Sequence, residues 1–126
     1  MTNEEIRNAL QKAIGEEQVM LFMKGTPDAP RCGFSARLVA ILDALGVEYA
    51  AIDVLPDARI REELSAVSNW PTVPQLFVAG ELVGGCDIAT EMFQAGELAE
   101  MLGVEQPEIV AAEPAPQQPR PLQVDG

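Results

Sequence analysis

KGTPDAPRCGFS, residues 24–35, separates an apolar run from a helical pattern, and the fold turns on how this stretch is read. Before it stands QVMLFM, residues 18–23, a short continuous apolar run of the kind a buried strand requires. After it, Phe34, Leu38, Ile41, Leu42 and Leu45 recur at helical spacing, and Gly46 suits the end of that helix. Between them a glycine and two prolines break regular structure. Cys32 is therefore expected in a loop at the start of a helix. There, unpaired backbone N–H groups and the positive end of the helix dipole favour an anion. A thiol so placed is shifted toward thiolate, which is both the nucleophile and the metal-binding form of cysteine. The position three residues on, where a redox pair would carry its second cysteine, is Ser35.

Outward from this segment the elements follow in order. Residues 3–14 read as a helix with Ile6, Leu10, Ala13 and Ile14 on one stripe, and Thr2 or Asn3 as its cap. EYAAIDV, residues 48–54, reads as a second buried strand, and residues 57–68 as a helix capped by Asp57. NWPTVP forces a loop, QLFVA (75–79) and ELVGG (81–85) make a hairpin about Gly80, and a helix capped by Asp87 runs to Gly96. GELAEMLG is a last short helix. The order α-β-α-β-α-β-β-α-α implies a parallel βαβ unit followed by a hairpin, hence an α/β fold with a small mixed sheet flanked by helices. From residue 104 to 126 apolar periodicity stops and five of the ten prolines appear (Pro107, Pro114, Pro116, Pro119, Pro121), which reads as a flexible, acidic tail.

Composition narrows the function. With 8 basic and 20 acidic residues the net charge is −12, which argues against nucleic acid as a partner. Yet Lys24, Arg31, Arg37, Arg59 and Arg61 cluster around the Cys32 segment, consistent with a local anion site. The chain has no histidine, so Cys-His and His-metal chemistry are not available from it alone. Cys32 and Cys86 are its two thiols, too few for a disulfide scaffold. No apolar run is long enough for a membrane span, and the polar N-terminus does not read as a targeting segment, so a cytoplasmic location is expected. Two further stretches draw attention. A cis bond at Val73–Pro74 would leave Val73 free to pair with an extended peptide. The glycines of VGGCD, residues 83–87, allow a ligand to approach the backbone N–H groups of Cys86 and Asp87. On its own, Cys86 reads as a packed thiol.

KGTPDAPRCGFS and NWPTVPQLFVAGELVGGCDI, with the elements between them, resemble the monothiol glutaredoxins of the CGFS type. The resemblance covers residues 1–103 and implies a thioredoxin-like fold, a four-stranded mixed sheet flanked by helices, with cis-Pro74 beside the active cysteine. It also implies glutathione as a cofactor. Cys32 would face the glutathione sulfur, and Lys24 and Arg61 would reach its glycine carboxylate. Val73, between Thr72 and Pro74, would pair with the cysteinyl part. Cys86 and Asp87 would hold the γ-glutamyl end, with Gly85 permitting the approach. Members of this type share a [2Fe–2S] cluster between two protomers, through two protein and two glutathione thiolates, which meets the four-thiolate demand of such a cluster. The resemblance thus implies a homodimer when cluster-bound, a BolA-like partner and apo iron–sulfur client proteins. Cluster transfer is the expected function. The alternative is a glutathione-dependent thiol–disulfide oxidoreductase acting on glutathionylated proteins through Cys32 alone.

Overall fold

A computed structural model of the chain describes residues 1–107. Helix α1 (Asn3–Glu16) begins at Thr2, whose hydroxyl accepts from the Glu5 amide at 3.0 Å while the Glu5 carboxylate accepts from the Thr2 amide at 2.7 Å. This reciprocal box satisfies two amides that a helix start leaves unpaired. Strand β1 (Val19–Met23) is buried along its whole length. The segment expected only to break regular structure instead forms a tight hairpin, β2 (Gly25–Thr26) and β3 (Ala29–Pro30). Helix α2 (Gly33–Leu45) follows and ends on Gly46 in the left-handed conformation, φ 70°. Next come β4 (Ala50–Asp53), α3 (Ala58–Ser68) capped by Asp57, β5 (Gln75–Val78), β6 (Glu81–Gly84), α4 (Cys86–Ala95) and α5 (Glu97–Leu102).

The four-stranded sheet has the order β4-β1-β5-β6, with β1 parallel to β4 and antiparallel to β5. Alternation along β1 divides the core between the two faces of the sheet. Val19, Leu21 and Met23 pack with Leu38, Leu42 and Leu45 of α2 and with Ala89 and Leu98 of the last two helices. Met20 and Phe22 pack with Ile6, Leu10 and Ile14 of α1 and Leu64 of α3. The Phe22 and Phe77 rings meet edge to face at 5.7 Å. Val104, the first residue assigned to the tail, lies against the first of these clusters, and its amide donates to the Ala99 carbonyl at 3.0 Å. Gln106 Nε2 donates to the Phe93 carbonyl at 3.0 Å. The rest of the expected tail lies outside the described residues.

Register decides where the loops meet. Phe22 stands opposite Gln75, Met23 opposite Asp53, and Leu76 opposite Gly84. The hairpin after β1, the loop before β5 and the Gly84–Gly85 turn after β6 therefore converge at one end of the sheet. Asp53, at the end of β4, ties the hairpin to that end of the sheet: one carboxylate oxygen accepts from the Gly25 and Leu55 amides, each at 2.9 Å.

Candidate functional site

Cys32 is the N-cap residue of α2, with extended backbone and no side-chain cap bond. Its thiol is half-buried. The thiol pKa is held below the ordinary range chiefly by the backbone amide of Ser35, helped by the Phe34 amide, the Ser35 hydroxyl and the Lys24 ammonium, against the opposing effect of partial burial. These are the helix-start amides expected to favour thiolate. Ser35 is fully buried, and its hydroxyl oxygen accepts from the Lys24 amide at 3.1 Å. The serine at the place of a second cysteine thus fastens the first turn of α2 to the end of β1. The Lys24 carbonyl in turn accepts from the Arg31 amide at 2.9 Å, closing the base of the hairpin.

Beside this helix start lies an open groove of about 250 Å³, lined by Phe34, Trp70, Thr72, Val73, Pro74, Gly85, Cys86, Asp87 and Ile88. It brings together Thr72, Val73, Pro74, Gly85, Cys86 and Asp87, six of the residues singled out in the sequence. Cys32, Lys24 and Arg61 stand outside its walls. Cys32 precedes the first turn of α2, whose Phe34 lines the groove, the Lys24 amide donates to Ser35 in that turn, and an Arg61 nitrogen approaches the Pro71 carbonyl, one residue before Thr72, at 3.5 Å. The Val73–Pro74 bond is cis. Among the described residues neither the Val73 amide nor its carbonyl has a hydrogen-bond partner. An unpaired backbone edge at a groove can accept an extended chain as an added strand.

At the far wall Gly85 is the N-cap of α4, again without a side-chain cap bond. This corrects the expectation that Asp87 caps the helix: Asp87 lies within its first turn, where its carboxylate cannot receive the capping amides. A Cβ on Gly85 would come 3.3 Å from the Pro74 carbonyl oxygen, a tight approach, and in ordinary contact with Trp70 Nε1 at 3.6 Å, so a side chain here would narrow the groove. Cys86 is buried, with Sγ 3.9 Å from the Thr90 hydroxyl, and burial pushes its pKa up. It is a packed thiol in the protonated form, available to the groove through its backbone rather than as a nucleophile. Sequence periodicity assigned Phe34 to the inner face of α2, yet it is 61% exposed and forms part of the groove wall. Trp70 and Ile88 also line the groove; Trp70 could have been suspected as a large ring amid turn residues, but nothing local marks Ile88.

Two helix starts without side-chain caps, one polarised thiol and one open backbone edge suit an extended ligand that carries carboxylates. Among the described residues no three Cys, His, Asp or Glu side chains gather as a metal site. No helix among them is long and apolar enough to cross a membrane.

The glutaredoxin family profile matches residues 19–83. A probable monothiol glutaredoxin 2 of Rickettsia prowazekii is 54% identical over 102 residues, covering 81% of this chain and 95% of that protein. The chain belongs to the monothiol glutaredoxin family. The solved structures agree. A monomeric truncated mutant of Trypanosoma brucei 1-C-Grx1 is 42% identical with a TM-score of 0.72, covering 82% of this chain and 96% of that one. A buckwheat glutaredoxin–glutathione complex is 26% identical with a TM-score of 0.71, covering 80% and 90% of the two chains. The four-stranded mixed sheet flanked by helices is therefore the thioredoxin-like fold expected of a glutaredoxin, and Cys32 is the single thiol of this glutaredoxin's CGFS segment.

Proposed function

We propose that this glutaredoxin binds glutathione along the groove and uses it to carry a [2Fe–2S] cluster as cargo between proteins. The observation that carries the reading is the pairing of one thiolate-favouring cysteine, Cys32, with a groove beside it that offers a free Val73 edge and two uncapped helix starts. The Val73 amide and carbonyl would pair with the cysteinyl residue of glutathione, flanked by Thr72 and Pro74. The backbone amides of Cys86 and Asp87 would take the γ-glutamyl carboxylate, with Gly85 leaving room. Lys24 and Arg61 would draw the glycine carboxylate by charge, and the glutathione sulfur would then lie toward Cys32. The buckwheat complex, a glutaredoxin of the same fold with glutathione bound, supports glutathione as the ligand.

One thiolate per chain leaves most ligands of a cluster to be supplied from outside. Two protomers with two glutathione thiolates complete a set of four, as such clusters require. A homodimer is then the loaded form, apo iron–sulfur proteins are the acceptors, and a BolA-like protein would replace one protomer. A cytoplasmic location belongs to this reading, since thiols are kept reduced there. The engaged Ser35 hydroxyl favours this reading, because no second thiol in the motif competes for Cys32.

Thiol exchange is the second reading, and the lowered pKa of Cys32 favours it. The Cys32 thiolate would attack the glutathione sulfur of a protein–glutathione disulfide, releasing the protein thiolate and leaving Cys32–glutathione. A second glutathione would resolve that bond, giving glutathione disulfide and the free thiolate.

Anaerobic reconstitution with iron, sulfide and glutathione distinguishes the two. The cluster reading expects a [2Fe–2S] absorption spectrum on a dimer, lost without glutathione and lost in Cys32→Ser. A colourless monomer that reduces a glutathionylated peptide selects the exchange reading instead.

A further inference from the structure

The loop in front of the groove has three consecutive carbonyl groups held by side chains. Gln75 Nε2 donates to the Trp70 and Thr72 carbonyls, both at 3.0 Å, and Arg61 approaches the Pro71 carbonyl between them at 3.5 Å. Gln75 is the first residue of β5 and is fully buried. The direction of its amide is dictated by its partners, because only the NH₂ end can lie between two carbonyl oxygens. The other end, Oε1, is buried with no hydrogen-bond partner among the described residues. An unpaired buried acceptor is costly, and an apolar side chain of similar length would avoid it. Packing alone therefore does not account for a glutamine here. The two bonds it makes have one evident effect: they fix the peptide planes of residues 70–72, immediately before the unpaired backbone of Val73.

We propose that Gln75 is a positioning residue, which turns the Trp70 and Thr72 carbonyls inward so that the Val73 amide and carbonyl stand ready at the groove. The ligand in this proposal rests on the glutathione reading above. Arg61 joins the same device from α3, so its charge serves the loop as well as the groove.

The test compares the wild-type chain with Gln75→Met and Gln75→Glu by calorimetric titration with reduced glutathione and by amide hydrogen exchange without it. Losing two neutral hydrogen bonds that preorganise the loop should weaken glutathione binding roughly ten-fold in Gln75→Met. Exchange at Thr72 and Val73 should rise while that at Leu76, Phe77 and Val78 stays near wild type. Gln75→Glu adds a signature that a structural role lacks. An ionised carboxylate cannot donate and repels both carbonyls, whereas the protonated acid can donate one bond. Its deficit relative to wild type should therefore shrink as the pH falls. Wild-type affinity in both variants, or protection lost evenly along β5 with a deficit that does not change with pH, overturns the proposal. If the wild-type chain itself binds no glutathione, the functional reading falls instead, and the exchange comparison alone decides whether Gln75 holds the loop. If Gln75→Met does not fold, the pH series on Gln75→Glu decides the matter.

Discussion

Cys32 and Cys86 differ in what surrounds the sulfur. Backbone amides at the start of α2 hold the Cys32 pKa down, and burial pushes that of Cys86 up. Iodoacetamide at neutral pH should consequently label Cys32 in the folded chain and reach Cys86 only on unfolding. Peptide mass mapping reads this directly, and early labelling at Cys86 contradicts the assignment. The same shifts carry signs for stability. The contribution of Cys32 is fully present above its unfolded pKa and is lost as the pH falls through its lowered folded value. Cys86 acts oppositely, favouring the fold below its unfolded pKa and losing that contribution as the pH rises toward its raised folded value. Residue identity made Cys32 legible from sequence, since a thiol after a loop and before a helix pattern has few other readings. Ser35 was legible only as a missing thiol. Its bond to the Lys24 amide depends on how α2 docks on β1, which no local pattern encodes. Gln75 is hidden for the same reason: its partners lie earlier in the loop, and a polar residue opening a strand looks solvent-facing until the fold buries it.

Among the elements, the hairpin of β2 and β3 is the one that sequence periodicity could not reveal. Two-residue strands are too short to show alternation, and proline and glycine read simply as breakers. The longer elements are of the expected types, because β1 is apolar throughout and the helices repeat their stripes over several turns, but β4, expected to be buried over 48–54, is a half-buried edge strand over Ala50–Asp53. The hairpin turns on Gly25, at φ 89°, where an added Cβ would lie 2.5 Å from the Ala29 carbonyl oxygen and 2.7 Å from the Arg31 amide. Both are backbone atoms and cannot rotate away. Gly25→Ala should thus cost about 2 kcal/mol or more in urea denaturation, from strain together with the opened hairpin. A loss below about 0.5 kcal/mol, the range of neutral surface changes, would mean the hairpin contributes little to the fold.

For the whole molecule, both core clusters are complete by residue 104, and the last described contacts are those of Val104 and Gln106. A chain ending at Pro107 should unfold within about 0.5 kcal/mol of the full chain, since no described core residue is removed. A chain ending at Gly103 should lose about 1 kcal/mol more, from the Val104 packing and the two hydrogen bonds. Urea midpoints with unchanged slopes check both, and equal stability of the two truncations would show that residues 104–107 do not brace the fold.

Among the described residues three helices begin without a side-chain cap, and two of those beginnings, at Cys32 and at Gly85, border the groove. Serine or aspartate at position 85 would satisfy α4, but its Cβ would lie 3.3 Å from the Pro74 carbonyl oxygen, so the backbone at the groove would have to shift by a few tenths of an ångström. Selection for heat resistance and selection for a working groove therefore pull against each other at this residue. A library screened only for melting temperature would drift toward a tougher scaffold with a narrower groove.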